Sequence, residues 1–265
     1  MKRIEAHPAD SSFTIGVNQF SDLTWEEFKQ GYLTEETENT LFAGEAPESK
    51  EIDHTTYTTD VKNQGQCGSC WAFSTTGSFE YFLNKKDDLK KDDRINLSEQ
   101  ELVDCSRSYG NYGCRGGLMS GGFKYVMDHK LGTQANYPYD ARDHECNAGN
   151  TAKEPRYSVA GFKELRGGVE ELSKWLDDGP VSVALEVNYA FQAYTSGVFV
   201  SEGCGSRLNH GVTLVGQGKD EGKDFFRVKN SWGSSWGEKG YIRMAVGTGS
   251  GTCGIANGWD VVPTF

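Results

Sequence analysis

Long apolar runs are missing from this 265-residue chain. No window approaches 18 consecutive apolar residues, so no membrane-spanning helix is expected. The opening stretch Met1-Lys2-Arg3-Ile4-Glu5-Ala6-His7-Pro8 also lacks the apolar core of a signal peptide. Positive charge is scarce: 27 Lys+Arg stand against 38 Asp+Glu, a formal net charge of −11. That balance makes nucleic acid and anionic membrane surfaces poor partners. Low-complexity sequence is absent, and with 36% hydrophobic and 12% aromatic residues the chain can bury a substantial core. Proline is sparse at 6 residues while glycine reaches 33, which predicts many tight turns and little long helix.

Seven cysteines stand at positions 67, 70, 105, 114, 146, 204 and 253. An odd number suggests three disulfides and one thiol left over. Spacing alone does not choose among the possible pairings. Any pairing implies synthesis in an oxidising compartment. With no signal peptide in view, either a leader precedes this sequence or the bridges do not form.

Charge and cysteine divide the chain near residue 46. Residues 1–45 hold 3 Lys+Arg, 9 Asp+Glu and no cysteine; the remaining 220 carry 24 against 29 and all seven cysteines. The acidic stretch Thr34 to Thr40, followed by Ala43 to Lys50, reads as an exposed linker. Before it, Thr24 and Glu27 form a capping box at the head of a helix, with Leu23 and Phe28 as its hydrophobic staple. Beyond it, residues of about 69–130 read as helical, with a second capping box at Ser98 and Glu101. From about 156 onward, short apolar runs between glycine-rich turns predict strands at Pro180 to Leu185, Gly211 to Val215, Phe225 to Lys229 and Gly240 to Met244. Helices followed by strands predict an α+β fold in two lobes.

The sharpest local feature is Gln64-Gly65-Gln66-Cys67-Gly68-Ser69-Cys70-Trp71-Ala72-Phe73. Its Cys-x-x-Cys reads as a zinc half-site, a redox pair, or one structural and one reactive cysteine. Zinc needs a second ligand pair at similar spacing, and the sequence holds none, so no metal is expected. The third reading fits the odd count. Cys70 then opens a helix running through Trp71 to Phe82, whose unpaired N–H groups favour a thiolate. A thiolate nucleophile needs a general acid, usually histidine. Among His7, His54, His129, His144 and His210, the last is set apart in Leu208-Asn209-His210-Gly211-Val212, at the head of an apolar strand. Asn230, in Lys229-Asn230-Ser231-Trp232, ends the next strand, and antiparallel pairing would bring it to His210. Asn230 also reads as a turn residue and Trp232 as a core aromatic.

Taken together, Cys-Gly-Ser-Cys-Trp, the downstream His210 and Asn230, and their order along nearly the whole chain resemble the papain family of cysteine proteases, in particular its cathepsin L-like endopeptidases. The resemblance implies a two-lobe α+β fold: a mainly helical lobe over about 54–156, a β-barrel-like lobe over about 157–258, and a C-terminal tail returning to the helical lobe. The cleft lies between the lobes, within a peptidase domain spanning 47–265. It implies Cys70 as nucleophile, His210 as general acid/base in a thiolate–imidazolium pair, and Asn230 as the acceptor that holds the imidazole. Trp232 shields that hydrogen bond, and Gln64 with the Cys70 N–H forms the oxyanion hole. It further implies the disulfides Cys67–Cys114, Cys105–Cys146 and Cys204–Cys253, each contributing about 4 kcal/mol on chain-entropy grounds.

By the same resemblance, the pocket for the second residue before the scissile bond (P2) is walled by Leu118, Met119, Ala184, Leu208, Gly211 and Gly258. All are apolar, so Leu, Phe or Val is favoured there and Arg disfavoured. Gly116 and Gly117 resemble the segment whose backbone pairs with extended substrate. Asn209 stands where many relatives have Asp. Gly16, Asn18, Phe20 and Asp22 match the motif of an inhibitory propeptide, and residues 1–46 resemble its C-terminal part plus linker, crossing the cleft in reverse. Asp22 is expected to sense acid and loosen that segment, with cleavage between about Phe42 and Ile52. No cofactor is expected. The implied partners are polypeptide substrates, the chain's own propeptide and cystatin-like inhibitors, for a monomeric enzyme of a lysosome, vacuole or extracellular space. The alternative is a catalytically silent relative that binds or stores.

Overall fold

The helix predicted at Cys70 spans Cys70–Lys86. Its apolar residues are spread around the axis rather than along one stripe, and a helix of that kind is buried on most sides. Most of its residues are indeed buried, from Cys70 to Tyr81. This is the computed structural model of the chain, describing residues 2–48, 50–151, 155–200, 203–205 and 207–265. Glu99–Cys105 and Met119–His129 pack beside the long helix, and Trp71, Phe79, Leu97, Leu102, Phe123 and Val126 form their shared core.

The second layer is a sheet. Its long strand His210–Asp220 pairs antiparallel with Lys223–Lys229 on one side and Val181–Leu185 on the other. Outward from Lys223–Lys229 come Tyr241–Ala245 and then Tyr194–Phe199. Outward from Val181–Leu185 come Asp260–Thr264 and Gly161–Leu165. These strands run between two ends rather than closing into a barrel. Ile52–Asp53 also joins the long strand. The C-terminal strand sends Val261 into the helical core, and Phe265 meets Phe79 and Phe82. No helix among the described residues is long and apolar enough to cross a membrane.

Residues before about position 46 are bound to these layers at several places. Phe13–Ile15 adds an antiparallel strand beside Tyr194–Phe199. Trp25–Tyr32 is a helix whose Thr24–Glu27 capping box is complete in both directions. At Ser98 the box is only half made: Ser98 accepts from the Glu101 N–H, while the Glu101 carboxylate is taken by Tyr125, Arg156 and the Gly132 N–H. The Ser98 hydroxyl also donates to the Tyr137 carbonyl. The expected exposed linker is corrected in part. Thr37–Glu38 pairs antiparallel with Arg207–Leu208, because an extended chain with open N–H and C=O groups is satisfied at that sheet edge.

The cysteines pair as Cys67–Cys114, Cys105–Cys146 and Cys204–Cys253, and Cys70 is the free, buried thiol. Where the layers meet, charge is buried as a network. Lys62 Nζ donates to Glu80 and Glu99, both at 2.5 Å, and both carboxylates are fully buried. Thr59 and Thr76 hydroxyls donate to the same two carboxylates. Burial pushes Glu99 up from its ordinary value, against the pull of Lys62. Removing the cation leaves two close, unpaired carboxylates. Lys62→Met is therefore expected to cost about 3–5 kcal/mol in urea unfolding, and Lys62→Arg clearly less.

Candidate active site

Cys70 is the first residue of its helix, directly after the N-cap Ser69, whose hydroxyl makes no capping bond. That hydroxyl instead pairs with Tyr139 OH at 2.6 Å. The helix lies against the long strand through small side chains: Ser74 donates to the Val212 carbonyl at 2.6 Å. The Gly211 N–H donates to Cys70 Sγ at 3.3 Å. His210, at the head of that strand, places Nε2 2.8 Å from Asn230 Oδ1, just past the end of the neighbouring strand. Since Oδ1 can only accept, Nε2 carries the proton. Nδ1 is buried and has no hydrogen-bond partner among the described residues. Trp232 stacks on the imidazole, centroids 4.7 Å apart.

Gln64 is held from both ends. Its Oε1 accepts from Ser231 Oγ at 2.7 Å, which fixes the amide so that Nε2 donates. Nε2 reaches the Cys67 carbonyl at 2.8 Å and the Tyr32 carbonyl at 3.0 Å. Tyr32 belongs to the segment before residue 46, so that segment takes a donor otherwise free for a reacting carbonyl. Just beyond, Leu33 is buried and Thr34 crosses the cleft. Thr34 donates from N and from Oγ1 to the Asn209 carbonyl, at 2.9 and 3.2 Å. A Cβ on Gly116 would stand 3.0 Å from Thr34 Cβ, so Gly116 lets the segment lie close. Gly117 has another reason to be bare, as its Cβ would press within 2.8 Å of the Trp71 ring.

This cover changes the electrostatics. Burial pushes the Cys70 thiol up to about 11, outweighing the N–H groups of Gly211, Trp71 and Cys70 that favour the thiolate. Burial likewise pushes His210 down to about 4, against the hydrogen bond to Asn230. Burial thus disfavours the charged form of both groups in this arrangement. Water is the missing ingredient: an ion pair this deeply desolvated lacks the solvation that would hold its charges.

Beneath Thr34 and Thr37 lies a cavity of about 230 Å³ reached by Cys70 and His210. Leu118, Met119, Ala184, Leu208 and Gly211 line it, together with Gly116 and Gly117. Gly258, expected there, is not among its walls. The turn at Gly258, with φ +88°, presents the glycine to Phe42, and Trp259 takes the wall position instead. Asn257 sets this turn, accepting from the Trp259 N–H at 2.8 Å. Asn209 faces the cleft with its carbonyl. Its side chain is locked on Val187, accepting from the N–H at 2.8 Å and donating to the carbonyl at 3.3 Å.

The motif residues before the cleft divide by role. Gly16 N–H donates to the Ala193 carbonyl, Asn18 Nδ2 to the Gln192 carbonyl at 2.7 Å, and Phe20 is buried against Trp232. Asp22 is exposed, and no hydrogen bond or ion pair holds its carboxylate among the described residues. Of the other histidines, His54 is buried between Tyr81 OH and the Leu176 carbonyl, and His129 and His144 pair with surface groups. Trp259, Tyr112, Ser231 and Tyr139 are site residues that sequence reasoning passed over. The Asn-Gly pair at 257–258, a usual mark of a tight turn, is the signal that could have found Trp259.

A family described as papain family cysteine protease matches residues 46–262. A cathepsin L-like proteinase of Fasciola hepatica is 41% identical over 93% of this chain and 77% of its own length. Among solved structures, digestive procathepsin L 3 from Tenebrio molitor superposes with a TM-score of 0.86 at 35% identity, covering 100% of this chain and 88% of that one. The proform of the ragweed pollen cysteine protease Amb a 11 gives 0.86 at 32%, covering 100% and 85%.

The buried imidazole carries a pH consequence. His210 takes its proton at about 4 in the covered chain, against about 6.5 when solvated. The uncovered or unfolded chain therefore binds more protons below that ordinary value. Stability of the covered form should fall as the pH drops from about 6.5 to about 4, by up to about 3 kcal/mol. Thermal unfolding of the full chain carrying Cys70→Ser should show this fall. A second chain that also carries His210→Asn should lose that component, and parallel pH profiles for the two would refute it.

Proposed function

This chain belongs to the papain family of cysteine proteases and hydrolyses peptide bonds, and from that premise we propose that it is the latent form of an endopeptidase. In this reading residues 1–46 cover the cleft of a peptidase domain spanning 47–265. The observation that carries it is the Tyr32 carbonyl on Gln64 Nε2, with Thr34 bound to Asn209 directly over the Cys70–His210 pair. The segment takes the donors a substrate would use.

When the segment leaves, water reaches the pair and the Cys70 proton passes to His210 Nδ1. Asn230 holds the far nitrogen, and Trp232 keeps water from that hydrogen bond. The thiolate attacks the scissile carbonyl, and Gln64 Nε2 and the Cys70 N–H stabilise the oxyanion, each donor worth about 10²–10³ in rate. His210 then protonates the leaving amine, and the acyl-enzyme forms. A water activated by His210 releases the acid product and frees the thiol.

The cavity under Thr34 receives the P2 side chain. Leu118, Met119, Ala184 and Leu208 are apolar, and the only peptidase-domain charge on its lining besides His210 is Arg115. Leu, Phe or Val fits there, while Arg would meet no counter-charge. The three disulfides support passage through an oxidising route, toward a lysosome, vacuole or the extracellular space. Polypeptides are its substrates, and cystatin-like proteins fit the same cleft as inhibitors.

The test is to incubate the full chain with a reducing agent at about pH 4.5–5.5, where His210 starts to protonate. Loss of the mass of residues 1–46 should accompany hydrolysis of a Leu-Arg fluorogenic peptide, both stopped by an epoxide that alkylates thiols. A peptide with Arg at P2 should be cut about tenfold less efficiently or worse. Cys70→Ser should lower kcat/KM by about 10⁴-fold or more, and near-normal turnover by that variant would overturn the assignment.

A further inference from the structure

Three glycines far apart in sequence converge on one side chain that the cleft chemistry does not use. A Cβ built on Gly168 would stand 3.2 Å from Phe42 Cβ, and one on Gly258 would stand 3.3 Å from Phe42 Cζ. One on Gly249 would overlap the Phe42 carbonyl oxygen. All three have positive φ, +65°, +88° and +56°, where side chains are disfavoured whatever the space. Glycine backbone therefore meets Phe42 at three points: Gly258 at the ring, Gly168 at its Cβ and Gly249 at its carbonyl.

The polar contacts that hold residues 40–44 here use that segment's own main chain, met by the Ser250 hydroxyl and the Gly249 N–H. The Phe42 N–H donates to Ser250 Oγ at 2.8 Å, and the Ser250 hydroxyl donates to the Thr40 carbonyl at 3.1 Å. The Gly249 N–H donates to the Gly44 carbonyl at 3.1 Å. Any extended peptide could make these bonds. Sequence is read at the ring, since the neighbouring Leu41 is 78% exposed. Beside the ring a further cavity of about 250 Å³ remains, and Trp259 walls both this space and the P2 cavity.

We propose that the Gly168–Gly249–Gly258 cradle is a peptide-binding site separate from the cleft, one that takes an extended polypeptide segment carrying an aromatic side chain. Phe42 fills it in the latent chain. Once residues 1–46 leave, an aromatic residue of a long polypeptide substrate fills it, across Trp259 from the P2 cavity. This rests on the latent-protease reading above. The cradle gives the enzyme a preference that no short substrate can report.

The experiment processes the full chain at acid pH and measures fluorescence polarisation of a labelled Asn-Thr-Leu-Phe-Ala-Gly-Glu peptide, the sequence of residues 39–45, before and after alkylation of Cys70. Binding should survive alkylation and weaken about tenfold or more when the peptide's Phe is replaced by Ala. Ser250→Ala in the protein should weaken it about threefold or more while leaving hydrolysis of a dipeptide amide unchanged. Unlabelled peptide should slow digestion of unfolded casein but not of the dipeptide amide. Equal binding of the Phe and Ala peptides, competition with the dipeptide amide, or no effect on casein would each overturn the inference. A chain that acid leaves whole, with Cys70 unalkylated, counts against the latent-protease reading instead. The cradle is then read in the full chain, where Phe42→Ala should speed cutting after Glu45 by a glutamyl endopeptidase about fivefold, and unchanged cutting would overturn the site.

Discussion

How closely the helix opening at Cys70 can approach the strand opening at His210 decides nearly everything at the cleft. A Cβ on Gly211 would stand 3.3 Å from the backbone of Trp71, and one on Gly77 would press within 2.5 Å of the Thr213 hydroxyl. Ser74 and Ser78 complete the contact, the latter meeting Ser182 Oγ at 2.8 Å. With bulkier residues on this face the helix would stand off the sheet, and thiol and imidazole would part. The layers meet through small side chains that hydrogen-bond, so the seam is both tight and polar. Behind it lies the Lys62–Glu80–Glu99 network, where buried charge fixes the same two layers in one arrangement.

Under the proposed latent-form reading, restraint of the enzyme has a steric part and a dielectric part. Sterically, Tyr32 and Thr34 occupy the donors and acceptors of the cleft. Electrostatically, burial pushes the thiol up and the imidazole down, which disfavours the charged pair. On that reading substrate is kept out while the charged pair is disfavoured.

Much of this was legible in the residues, and what was not has identifiable physical causes. The Cys70 helix, the strand at His210 and the turn into Asn230 follow from local pattern, because period and capping act over a few residues. Thr24 and Glu27 close their box since nothing competes for Glu27. At Ser98 the same letters close only half of it, because tertiary contacts claim Glu101. Thr34 to Thr40 reads as a linker by composition, yet its backbone finds partners some 170 residues away, a match carried by N–H and C=O groups common to any sequence. Gly258 and Trp259 exchanged places for a similar reason. Alignment places residues along a chain, whereas the Asn257 turn decides which of them looks into the cavity.

Trp232 joins these strands of the story in a single ring. One face lies on the His210 imidazole, while Phe20 and Phe28 meet it edge-on, each with centroids 5.3 Å away. The Gln19 side chain donates to its carbonyl at 2.8 Å. In the proposed reading, the residue that supports the working enzyme is also the floor on which its restraint stands. Selection acting on either trait at this position must act on both: a variant that loosened the inhibitor by trimming the indole would blunt the protease it released. Escape from restraint is steered toward the covering segment itself, where changes can accumulate without damaging the machinery underneath.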